Sequence, residues 1–145
     1  MLTNDQLPLL QISPSLESDN TLQVNGRQYA IVTRGFLIKH QCLLLEDKRV
    51  WLTIKKKGGE KYRLQFARGN KYQLEVLPYA TKAYVFYDQE DVEIFRVTQP
   101  PLDPNAVCLI VSALHIPEEE FVTLVAWGFY LCCHSSGRKH YKPAA

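Results

Sequence analysis

A chain of 145 residues is long enough for one domain with a sizeable core. Its 46% hydrophobic and 22% charged residues are those of an ordinary soluble globular protein. The net charge of +2 is too small to point to nucleic acid.

Residues 1–20 hold Pro8, Pro14 and a polar run, and read as an extended or loosely docked, flexible N-terminal arm. Thr21–Val24 and Arg27–Thr33 then flank Asn25-Gly26, a hairpin signal because a type I′ turn needs positive φ at both central residues. Leu37–Glu46 and Arg49–Lys57 form a second pair around Asp47-Lys48. Glu60–Ala67 and Lys71–Leu77 alternate apolar and polar residues, as half-buried antiparallel strands do. Ala83–Tyr87 and Val92–Thr98 make a further hairpin across Asp88–Asp91. The total is about eight short strands at the spacing of a sandwich or barrel.

Pro100-Pro101-Leu102-Asp103-Pro104 ends this series. Residues 105–116 read as a helix capped by Asp103 or as a buried strand, with length and caps favouring the helix. Pro117 and Glu118–Glu120 open a helix over 118–133, the acids complementing its positive end. It is expected to stop near Ser135-Ser136-Gly137, leaving residues 135–145 as a mobile basic tail beyond a domain at 21–134.

Within that helix, Phe121–Cys133 has almost no polar face, so it must be surrounded by protein or lipid. A membrane span needs about 18 to 20 apolar residues, which this run lacks, and extending it backward meets three glutamates. A helix lying on an open sheet would show a polar stripe. Enclosure by strands accounts for the pattern best. The expected fold is mainly β (α+β): an antiparallel barrel or strongly curved sheet, with the hydrophobic C-terminal helix enclosed by it or packed on it.

Arg27-Gln28-Tyr29-Ala30-Ile31-Val32-Thr33-Arg34-Gly35-Phe36, followed late in the chain by Asp103-Pro104 and Val107–Leu114, resembles the tubby C-terminal-like superfamily. That group comprises the tubby, phospholipid scramblase and plant LURP-one-related families. The likeness spans residues 21–133 and rests on pattern. It implies a barrel around an apolar helix, contact with lipid or phosphoinositide through a basic outer surface or a regulatory role, and no assignable catalysis. A second analogy is the pleckstrin-homology-like barrel, which carries a tryptophan in its C-terminal helix, where Trp127 stands here.

The leading site candidate is basic. Nine Lys and Arg residues fall between Lys48 and Lys71 against one acid, Glu60. Of these, Lys55, Lys56, Lys57, Lys61, Arg63 and Arg68 are expected to converge around Gly58-Gly59 as an anion-binding patch, each worth about 1 kcal/mol near an anionic membrane. Lysines also guard exposed sheet edges, which is the competing reading. Tyr62, Phe66 and Tyr72 alternate with these cations and so should face the core, which argues against nucleic acid.

Cys42, Cys108, Cys132 and Cys133 contain no Cys-x-x-Cys and fit buried thiols in a reducing compartment. With His134 and His140 the last two match no usual zinc spacing, so neither a metal nor a cofactor is expected. Ser112 and His115 would share a helical face without an acid to orient the imidazole. Met1–Asp5 shows no secretory pattern, which makes the cytoplasm the expected compartment. The reading is a non-catalytic module that meets an anionic membrane surface or an acidic protein. The alternative is a structural or regulatory interaction protein acting through the N-terminal arm or a strand edge.

Overall fold

The computed structural model describes residues 21–24, 26–78, 82–98, 108–113 and 115–144, so the N-terminal arm and the Asp103-Pro104 cap lie outside the described residues. Nine strands form one antiparallel sheet in chain order: β1 (Thr21–Val24), β2 (Arg27–Arg34), β3 (His40–Leu44), β4 (Val50–Gly58), β5 (Lys61–Phe66), β6 (Lys71–Leu77), β7 (Ala83–Tyr87), β8 (Glu93–Thr98) and β9 (Cys108–Val111). One helix, α1 (Glu118–Ala144), follows.

Period-two patterning sets the register. Ile31, Leu43, Leu52 and Phe66 lie in one row across β2 to β5. Tyr62, Leu74, Phe86, Phe95 and Val111 form a second row across β5 to β9. Most of these side chains are buried, and a slip of one residue would turn a whole strand's apolar set to water.

α1 contacts both β1 and β8. Laid flat, nine strands at about 4.8 Å spacing would span roughly 38 Å, and a helix is only about 10–12 Å wide. The sheet therefore curls around it. From Glu120 to Cys132 no helical residue is exposed, although Val122, Phe129 and Leu131 are only partly buried. Among the described residues β1 and β9 do not pair, and the curl stops short of a closed barrel.

Other expectations are corrected. Part of 105–116 forms β9 rather than a helix, since β8 offers an unpaired row that Leu109, Ile110 and Val111 can satisfy. Leu37–Lys39 belongs to the β2–β3 loop, and β3 begins only at His40. α1 passes through Gly137 instead of stopping, because a single glycine costs about 1 kcal/mol in a helix that is already nucleated. Among the described residues, no helix is long and apolar enough to cross a membrane.

Candidate functional site

Strict antiparallel order sorts the connections onto two ends of the sheet. One end carries the β2–β3 loop and the β4–β5 turn. The other carries the turns at Asp47-Lys48, Arg68-Gly69 and Asp88–Asp91, with the start of α1.

At the first end Lys55 stands directly opposite Arg63, Lys56 opposite Tyr62, and Gly58 opposite Lys61, with Lys57 in the register shift. All five cations are exposed. Among the described residues no salt bridge engages any of them. Lys61 has Glu75 as its neighbour on β6, and that carboxylate accepts a hydrogen bond from the Tyr87 hydroxyl at 3.3 Å. Glu60, also exposed, is the one acid in the turn.

Arg68 does not join them. It lies seven residues along from Lys61, about 20 Å away at strand spacing, at the opposite end. Its guanidinium donates to Glu119 Oε2 at 2.9 Å and lies 5.5 Å from the centre of the Trp51 ring. Arg68 ties the first turn of α1 to the sheet. In its place come Arg34 and Lys39, which the sequence reading did not single out. Arg34 pairs with His40, and Gln41 pairs with Ile54. The β3–β4 pairing ends at Gln41–Ile54, so Arg34 and the β2–β3 loop that carries Lys39 lie at the same end of the sheet as Lys55–Lys57. A signal existed, since both cations flank the apolar triplet Phe36-Leu37-Ile38, but reading Leu37 as strand hid it.

A cavity of about 320 Å³ separates α1 from the inner wall, lined by Ile54, Tyr62, Leu74, Tyr84, Trp127 and Tyr130 among others. The Trp127 indole N–H, buried nearby, has no hydrogen-bond partner among the described residues.

At the far end a cavity of about 400 Å³ is lined by Tyr72, Asp88 and His115. His115 Nε2 lies 2.8 Å from Asp88 Oδ2, so the imidazole does have an orienting acid. Burial pushes the Asp88 carboxyl up, but the Val92 backbone N–H, then His115 and the Glu90 N–H, outweigh it and hold it below the ordinary carboxylate range. Ser112 is not on a helix, and its hydroxyl donates to Glu93 Oε2 at 3.3 Å instead. It forms no nucleophile–base pair with His115. Burial and the Glu120 carboxylate raise the Tyr72 phenol well above its usual range, so it acts as a hydrogen-bond donor. Among the described residues no three metal-ligating side chains gather, and Cys42 and Cys132 are both buried.

No protein-family description, curated protein or solved structure matches this chain.

Proposed function

We propose that this chain is a non-catalytic binding module that docks on an anionic surface, lipid headgroups foremost, through Lys55, Lys56, Lys57, Lys61 and Arg63. The observation that carries this reading is the register pair Lys55–Arg63, two cations facing each other with no acid paired to either among the described residues. Like charges directly opposite destabilise a sheet, and an anion laid across the hairpin relieves that repulsion. Guarding of an exposed edge accounts for less. Arg63 lies on an interior strand, between Lys55 on β4 and Gln73 on β6. Only Lys55–Lys57 overhang their β3 neighbour, whose pairing ends at Ile54.

Co-sedimentation with phosphatidylserine-containing vesicles at low and high salt tests the reading. Binding is expected at low salt, weakening with salt and with Lys55→Glu combined with Lys57→Glu. Absence of binding, or indifference to charge reversal, rejects it.

The open sheet favours a second reading, interaction with another protein along a strand edge. β9 is the last strand, and its Ile110 is half exposed. That reading predicts a complex in pull-downs that survives reversal of the lysines and is lost when Ile110 is replaced by lysine.

A further inference from the structure

The largest unburied apolar feature among the described residues is the β2–β3 loop. Phe36, Leu37 and Ile38 are 92%, 88% and 83% exposed. Single exposed hydrophobic residues are ordinary, but three consecutive large ones standing free in water are not.

The loop is also built rather than slack. The Arg34–His40 pair closes it. Gly35 sits at φ +105°, a conformation that side chains rarely adopt, and a Cβ there would collide with the Ile38 carbonyl oxygen. That close approach folds the chain back between Gly35 and Lys39 and leaves the three side chains projecting.

Their setting selects the occupant. Arg34 and Lys39 flank the triplet and are both exposed. The same end of the sheet carries Lys55–Lys57. A second copy of the chain seated face to face on this loop would bring its own cations against these, because a two-fold interface sets a patch against itself. An anionic phospholipid bilayer meets both demands, with phosphates at the level of the cations and acyl chains beyond them.

Resting on the docking proposed above, we infer that Phe36, Leu37 and Ile38 form a wedge that enters the headgroup–acyl boundary of an anionic bilayer, with Arg34 and Lys39 at phosphate level. Electrostatics brings the basic end to the surface, and burial of the wedge holds it there. The attachment then outlasts a rise in salt that would release a purely electrostatic contact.

The experiment uses the full chain and vesicles of phosphatidylcholine with or without phosphatidylserine. Changing all three residues to serine (F36S, L37S, I38S) touches no buried group, so thermal unfolding should match the parent. Affinity for phosphatidylserine vesicles should fall roughly a hundredfold, with the salt-resistant fraction gone. In parallel, Leu37→Cys carries an environment-sensitive fluorophore, with the unsubstituted protein as labelling control. Its emission should shift to the blue on phosphatidylserine vesicles and be quenched by lipids labelled near the glycerol backbone. If the protein sediments while the probe keeps its aqueous emission, the wedge is overturned and electrostatic docking stands. If the parent protein does not sediment at all, the docking fails and the wedge with it. If the serine variant binds vesicles normally but loses self-association, the loop is a protein contact and the inference is wrong.

Discussion

Two buried polar side chains show how a helix apolar almost all round is held in one orientation. Glu120, fully buried, accepts hydrogen bonds from Asn70 Nδ2 at 3.0 and 3.1 Å and from the Tyr72 hydroxyl. The Trp51 indole N–H donates to the Thr123 hydroxyl at 3.0 Å, and that hydroxyl donates to the Glu119 carbonyl at 2.8 Å. Thr123→Val keeps the shape and strips the indole of its acceptor, so unfolding in urea should show a loss of about 1–3 kcal/mol. Combining it with Trp51→Phe should cost less than the sum of the two, since each change removes the same bond. Glu93 contributes one pH-dependent term to stability. Arg96 holds its carboxyl below the ordinary value of 4.5, against burial that raises it. A depressed carboxylate adds stability that is complete above the ordinary value and disappears as pH falls through the lowered one. Glu93→Gln should therefore lower the melting temperature at neutral pH, and the two melting curves should begin to converge below about pH 4.5 and meet only below the lowered value.

At the scale of elements, the helix and sheet meet so closely at Gly128 that an added side chain must displace a neighbour. A Cβ there would lie 2.9 Å from Val97 Cγ2 and 3.2 Å from Phe86 Cε1, both on buried residues. Gly128→Leu should destabilise the fold by about 2–3 kcal/mol in a denaturant titration, the usual scale of overpacking. Gly128→Ala should show much less, because about 1 kcal/mol of helix propensity offsets the contact. The hairpins from β4 to β8 were legible because their alternation and turn residues are local. β9 was not. Asp103-Pro104 and the length of 105–116 gave a local case for helix, whereas β8 needed a partner, and that need is invisible without the sheet. The wrapped helix was legible for the opposite reason: Phe121 to Cys133 records its surroundings in its own composition.

For the whole molecule, the sequence showed that cations and acids are segregated but not where they lie, because placement depends on strand direction. Counting strands moves Arg68 to the far end, beside Glu119, and puts Arg34 and the loop holding Lys39 at the same end of the sheet as Lys55–Lys57. The result is a basic end tipped by Phe36, Leu37 and Ile38, with Asp47, Asp88, Glu90 and Asp91 in turns at the other. Such an arrangement sets stability against binding. Lys55→Glu would face Arg63 with an opposite charge, which should raise stability by a few tenths to about 1 kcal/mol in low salt. The gain should shrink as salt screens the pair. The same change should weaken sedimentation with phosphatidylserine vesicles. Paired measurements on one preparation, thermal unfolding and vesicle binding across a salt series, test both halves. A variant less stable than its parent at low salt would mean that Lys55 and Arg63 do not repel in the free protein. The charge argument for docking would then lose its footing, whatever the vesicles show.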